Sequence, residues 1–325
     1  MKDYNAGENM INIFYHKKDL DGHCSGAIAR YYWEIVKEEG VKMWPYDYGE
    51  SFPFDKIEDG SRVVMVDVTT NPYEVMEEIK KRYDLFVIDH HKSFIESDVK
   101  PKITGLFVDG VAACQLAWHH FFMNDPTPSI VKLLGEYDIW NNQDQNVWWN
   151  QIMPIQMGMR MRLTDPGTDD GFVIWKEYFE DFLDKPDNRF PMMGRHYADL
   201  EDEVSKAGIT ILQYQEVEDK KAIDFYSFEA KFGELKAVCL NNTRFNSQVY
   251  KSVWDNTKHD IMFAWVNVKG ERCSVSLYTD KEGIDVSKIA KEYGGGGHKQ
   301  AAGFQCREVK VVTHDNNEKV IILIV

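Results

Sequence analysis

Three apolar stretches in the amino-terminal half each stop at a carboxylate or an imidazole, and this pattern constrains the fold more than any other feature of the chain. Residues 85–88, with Tyr83 just before them, read as a buried strand that ends in Asp89-His90-His91. Residues 11–15 alternate as a strand and run into His16, Asp19 and Asp21, which lie within six residues, before Gly22 lets the backbone turn into a helix over about 23–39. Residues 62–66 form a third strand ending in Asp67, followed by a helix opened by Pro72, a favoured first-turn residue. Strands alternating with helices build a parallel sheet, and the carboxyl ends of its strands form the ligand crevice. Each motif alone has a plain structural explanation: a polar strand cap for Asp89-His90-His91, a helix N-cap for Asp21, a turn for Asp67. Three such ends converging on one crevice favour a site.

Further along, residues 106–108 read as a short strand and 111–118 as a core helix rich in small residues. Another helix starts at about Ser129 and reaches Asp138 beside Tyr137 and Trp140; Asp138 is a fourth candidate ligand, although a charged residue so placed is, on its own, more often a surface cap. Residues 141–218 are rich in aromatic residues and Met, with helical patterns near 175–183 and 196–207. Here Arg160, Arg162 and Arg195 are candidates to meet a phosphate, and Trp148 and Trp149 either stack a base or pack internally. From about Lys221 the pattern turns to β over 222–228, 235–240, 261–268 and 272–278, with a helix near 247–254. Residues 285–293 are amphipathic and lead into Gly294, Gly295, Gly296, Gly297 and His298. A glycine run before a helix would supply the exposed N–H groups that cradle phosphate.

The balance of charge bears on partners. With 38 Lys and Arg against 53 Asp and Glu, the net charge of −15 disfavours wrapping a long nucleic acid through backbone neutralisation and leaves small phosphorylated ligands open. Five cysteines, Cys24, Cys114, Cys239, Cys273 and Cys306, form no C-x-x-C pair and suit a reducing cytoplasm. No signal core precedes the first strand, and the longest apolar run, 320–325, is too short to span a bilayer. A soluble cytoplasmic protein is expected.

His16-x-x-Asp19-x-Asp21-Gly22, Asp67 after a strand, Asp89-His90-His91 and Asp138 after a helix resemble the four ordered motifs of the DHH phosphoesterase superfamily. The glycine run with His298-Lys299-Gln300-Ala301-Ala302-Gly303-Phe304 resembles the signature of the DHH-associated C-terminal domain. The resemblance implies an α/β protein: a largely parallel-sheet catalytic domain over 1–140, a helical linker over 141–220, and a smaller α/β substrate-binding domain over 221–325, with the active site in the cleft between the domains. It also implies two Mn²⁺ ions, with Mg²⁺ or Co²⁺ as substitutes. One ion would be held by His16, Asp19 and Asp67, the other by Asp21, Asp67, His90 and Asp138, with Asp67 bridging. Oxygen and imidazole ligands without thiolate suit such ions, and a metal pair can activate a water for hydrolysis. His91 would contact the phosphoryl oxygens, and Asp89 would orient an imidazole. Gly294, Gly295, Gly296, Gly297 and His298 would bind the other end of the substrate.

The expected activity is hydrolysis of short oligonucleotides or of linear or cyclic dinucleotides to 5′-mononucleotides. Phosphoanhydride hydrolysis and a non-catalytic nucleotide sensor are the alternatives. Tyr278 stands where short-oligonucleotide-degrading relatives often carry Arg, with Arg272 or Lys281 available to compensate. The partners expected are a short nucleic-acid or dinucleotide substrate, with neither long duplex nor membrane, and a homodimer is allowed.

Overall fold

The computed structural model describes residues 10–183, 197–241 and 246–325; Arg195 lies outside them. The chain divides into two compact units, Met1–Leu212 and Gln213–Val325.

The first unit is built on five parallel strands in the order β2-β1-β3-β4-β5: β1 Ile11–His16, β2 Val41–Tyr46, β3 Arg62–Val66, β4 Asp84–Asp89 and β5 Gly105–Phe107. Alternation along the strands sends side chains to two separate cores. Ile11, Ile13, Tyr15, Val64, Val66 and Ile88 join one core, whereas Phe14, Val63, Met65, Leu85 and Val87 join the other. Both faces are therefore covered, which explains why these strands read as near-continuous apolar runs. On the first face lie α1 (Leu20–Arg30), which continues as π-helical turns to Val36, with α4 (Ala113–Phe121) and α5 (Ser129–Asp138). The second face carries α2 (Val75–Arg82) and α3 (Lys92–Ile95). The helix predicted to open at Pro72 begins three residues later, because residues 72–74 form turns whose carbonyls accept from Val75 and Met76.

The segment after Asp138 packs onto the same unit. It comprises α6 (Gln145–Val147), π-helical turns from Trp148 to Ile152, α7 (Met153–Arg160), α8 (Asp169–Leu183) and the start of α9 (Tyr197–Tyr226). Ile155, Met159, Trp175, Phe179 and Val204 are buried in the first core. The loop over residues 164–168 ties down β1 and α1: Tyr15 donates its hydroxyl proton to Asp165, His23 Nδ1 meets Thr164 Oγ1 at 3.0 Å, and buried Arg30 donates to the Pro166 carbonyl at 2.8 Å.

The second unit contains an eight-stranded mixed sheet in the order β10-β11-β9-β8-β7-β6-β13-β12. Its strands are β6 Phe228–Phe232, β7 Leu235–Asn241, β8 Ile261–Val268, β9 Arg272–Tyr278, β10 Gly296–His298, β11 Ala301–Cys306, β12 Glu308–Thr313 and β13 Lys319–Ile324, and α10 (Val286–Glu292) packs beside them. Of the strand expected over 222–228, residues 222–226 are instead the last turns of α9, and β6 begins only at Phe228. The aromatic residues of this stretch suggested β structure, but buried Ile223 and the Lys220–Asp224 pair at 2.8 Å follow helical spacing. The helix expected near 247–254 shrinks to one 3₁₀ turn, Ser247–Tyr250, capped by Asn246.

The glycine run does not precede a helix. It follows α10, enters β10 and pairs back on β11, with Gly297 opposite Ala302. A helix N-terminus therefore does not contribute there, which corrects the expectation of a helix after the glycines. Gly295 is required for close approach, since a Cβ on it would lie 2.1 Å from the Gly303 carbonyl oxygen.

Candidate metal centre

In the strand order 2-1-3-4-5 the chain leaves β1 toward β2 and then crosses back to β3, so the crevice opens at the carboxyl ends of β1 and β3. His16 is the last residue of β1 and Asp67 follows β3. The predicted ligands thus flank the topological switch point.

The loop after β1 is shaped by its own side chains. Asp19, rather than Asp21, is the N-cap of α1 and accepts from the Gly22 amide at 2.9 Å. Gly22 cannot carry a side chain, because a Cβ would lie 2.1 Å from the His16 carbonyl oxygen. Buried Asp21 instead holds another helix: its two oxygens accept from the Ala113 and Cys114 amides at 2.9 and 2.8 Å, at the start of α4. A carboxylate at a helix N-terminus satisfies otherwise orphaned amides and complements the helix dipole.

Ligand-type atoms gather in three overlapping groups, His16 with Asp19 and Asp67, Asp21 with His90 and Asp138, and Asp67 with His90 and His91. His16 Nδ1 lies 2.8 Å from Asp19 Oδ2 and 3.6 Å from Asp67 Oδ2. His90 Nε2 lies 3.6, 3.4 and 3.3 Å from carboxylate oxygens of Asp21, Asp67 and Asp138. Asp67 is common to two groups; it is 1% exposed, and its backbone is left-handed with φ 58°, a conformation that Asp tolerates better than most residues. Asp89 orients the end of β4, accepting from the His90 and His91 amides at 2.8 and 3.2 Å and from His91 Nδ1 at 2.7 Å.

Buried Asp67 Oδ1 and His16 Nδ1 receive no aligned hydrogen bond despite these short separations. Buried polar atoms without partners are costly, and a cation held among these neighbouring ligand atoms would satisfy them. The all-oxygen and imidazole donor set fits a divalent ion of the manganese or magnesium type.

Crowding shows in the proton affinities. Burial disfavours a charged His16, but the Asp19 and Asp67 carboxylates outweigh it and raise its pKa to about 10. Burial likewise opposes His90, and Asp67, Asp21 and Asp138 lift it to about 9. Burial and the Asp67 charge push Asp21 up to about 7, and burial with the Asp21 charge does the same for Asp138. Asp67 is raised chiefly by burial; for Asp19, burial is overcome by His16 and the pKa is lowered.

Two residues at the site were not foreseen. Asp47 Oδ1 lies 3.4 Å from His16 Nε2, and the Tyr48 hydroxyl lies 3.1 Å from His91 Nδ1. Both follow β2, an edge strand whose Trp44-Pro45 breaks the usual strand signature; Pro is tolerated there because one side of the strand is unpaired. The available signal was a further apolar stretch ending in an acid, at Tyr46-Asp47.

Other candidates have partners of their own. Arg162 pairs with Glu203 at 3.0 Å, and Arg160 sits over the Tyr137 ring. Trp148 is buried and stacked on Tyr137, a packing role. Lys281 pairs with Asp260 at 2.6 Å, and Arg272 begins the strand that Tyr278 ends, about 20 Å away. Gly294 and Gly295 line a surface pocket of about 380 Å³ with Ser274, Ser276, Tyr293 and Gln305, while His298 is exposed on β10.

Residues 10–137 match the family described as DHH family, N-terminal domain, and residues 246–321 match the DHHA1 domain. The uncharacterized protein R106 of Acanthamoeba polyphaga mimivirus is 24% identical over 313 residues, covering 92% of this chain and 68% of that protein. Similar solved structures include a pGpG-specific phosphodiesterase, PggH, from Vibrio cholerae, with TM-score 0.46, 12% identity and 92% of each chain covered. Another is an exopolyphosphatase-related protein from Bacteroides fragilis, with TM-score 0.45, 10% identity, and 91% of this chain and 86% of that one covered. With both domain matches in chain order around these motifs, the chain belongs to the DHH phosphoesterase superfamily.

Proposed function

We propose that this protein is a Mn²⁺-dependent phosphodiesterase that hydrolyses short oligonucleotides or linear or cyclic dinucleotides to 5′-mononucleotides. The observation that carries the reading is Asp67, a buried carboxylate common to two ligand groups with an oxygen that lacks a hydrogen-bond donor. His16, Asp19 and Asp67 would hold one ion; Asp21, Asp67, His90 and Asp138 would hold the other. The chemistry such a pair supplies when bound is a water acidic enough to attack near neutral pH, with neutralisation of charge on the leaving oxygen.

The remaining work falls to side chains of the protein. Asp89 fixes the His91 ring through Nδ1, which leaves Nε2 to face a phosphoryl oxygen. The glycines Gly294, Gly295, Gly296 and Gly297, with His298, are assigned the substrate-binding role of the carboxy-terminal domain expected over residues 221–325. The acidic balance supports a small substrate over a long strand. Five buried free cysteines support a cytoplasmic setting, and no helix among the described residues is long and apolar enough to cross a membrane.

The test is to incubate purified protein and Mn²⁺ in parallel with a 5′-phosphorylated dinucleotide, a cyclic dinucleotide, a longer single strand and polyphosphate. Mononucleotide release from the dinucleotides is expected. Phosphate release from polyphosphate alone would transfer the assignment to phosphoanhydride hydrolysis, and full metal occupancy without turnover of any substrate would favour a sensor.

A further inference from the structure

Residues 47–50 form a turn at the rim of the metal centre, fastened to the loop after β1. Lys17 pairs with Glu50, and Lys18 Nζ lies 3.6 Å from Asp47. Inside the turn the Asp47 amide donates to Glu50 at 3.0 Å, and Tyr46 donates its hydroxyl proton to the Glu50 carbonyl. The turn thereby presents Tyr48 between two imidazoles of the centre. Its ring lies 5.3 Å from that of His16 and 5.5 Å from that of His91, with the latter pair edge to face.

The position of the hydroxyl is informative. It is 3.1 Å from His91 Nδ1 and 3.3 Å from Nε2. A hydrogen bond aimed along either nitrogen's axis would leave the other nitrogen distant, so near-equal separations place the oxygen off both axes. The Nδ1 axis is already taken by Asp89 at 2.7 Å. The phenol proton is therefore uncommitted at the edge of a site otherwise lined by carboxylates and imidazoles. Lys17 and Lys18, the cations nearest in sequence to His16, are engaged by Glu50 and Asp47.

We propose that Tyr48 is a phosphate-binding residue of this centre, donating its hydroxyl proton to a non-bridging phosphoryl oxygen beside His91; this rests on the phosphoester reading above. A donor held in place before the substrate arrives is the arrangement that stabilises developing phosphoryl charge at least reorganisation cost. The ligand class is a phosphate mono- or diester with a free non-bridging oxygen.

Tyr48→Phe removes the hydroxyl and keeps the ring that packs on His16 and His91. The experiment is calorimetric titration of inorganic phosphate into Mn²⁺-loaded wild-type and Y48F protein, with Mn²⁺ stoichiometry and affinity measured on both. The expected result is phosphate affinity about ten-fold weaker in Y48F, with Mn²⁺ binding unchanged. Equal phosphate affinity in the two proteins would overturn the assignment, as would failure of the wild type to bind phosphate. A parallel fall in Mn²⁺ affinity would also overturn it, because Tyr48 would then act through His16. Turnover of the 5′-phosphorylated dinucleotide is measured alongside: its absence with the phosphate result intact would remove the hydrolase reading and leave Tyr48 as a phosphate ligand.

Discussion

Loading the centre with metal must displace protons, and their number follows from the crowding of its side chains. With pKa values of about 10 for His16, about 9 for His90 and about 7 for Asp21 and Asp138, these four side chains together carry about four protons near pH 6 in the metal-free protein. They carry about two near pH 8 and less than one near pH 10. Metal ligation requires those sites to be unprotonated. Titrating Mn²⁺ into metal-free protein in buffers of different ionisation heat should therefore reveal release of about two protons at about pH 8, rising toward four at about pH 6. Apparent Mn²⁺ affinity should strengthen as pH rises.

The same shifts set the stability of the metal-free fold. A raised His16 or His90 stabilises fully below its unfolded pKa of 6.5, and that stability is lost as pH climbs through about 10 and about 9. A raised Asp21 or Asp138 imposes a penalty that grows above 3.8 and is complete near 7. Both effects have one sign, so the metal-free protein should lose about 2–3 kcal/mol per pH unit near pH 8, where the fold holds about two more protons than the unfolded chain. Binding heats that do not change with the buffer near pH 8, or a metal-free melting temperature that rises with pH, would refute this account.

Three substitutions probe the same architecture. Asp67→Asn should abolish turnover and reduce Mn²⁺ stoichiometry in protein whose circular dichroism is unchanged, since Asn fits the left-handed backbone but cannot supply a shared anionic ligand. Asp21→Ala should cost about 2–5 kcal/mol in urea denaturation, because it leaves the buried Ala113 and Cys114 amides without an acceptor. Gly22→Ala should weaken Mn²⁺ binding at least ten-fold by calorimetry, as its Cβ must displace His16.

The parallel sheet and the order of its motifs were legible because strands buried on both faces leave an apolar signature with an abrupt polar end, as at Val66-Asp67 and Ile88-Asp89. The sequence was silent about which neighbours the acids would serve. The Asp21 bonds to α4 depend on a contact between residues some ninety positions apart, which no local pattern encodes, and they leave the N-cap of α1 to Asp19. Asp47 and Tyr48 were hidden behind Pro45, whose effect on a strand depends on whether that strand is central or at an edge. In the second unit, Phe225 and Tyr226 imitate a strand because aromatic residues favour sheets, yet the helix ends only after them.

The loop over 164–168 has a practical consequence for anyone shortening this protein. Cutting after residue 140 would retain every carboxylate and imidazole of the centre while stripping the Pro166 carbonyl from Arg30, Asp165 from Tyr15 and Thr164 from His23. It would also bare the surfaces against which Trp175 and Phe179 lie. Leu200 and Val204 of α9 belong to the same core, so a smaller catalytic fragment should be cut no earlier than Leu212.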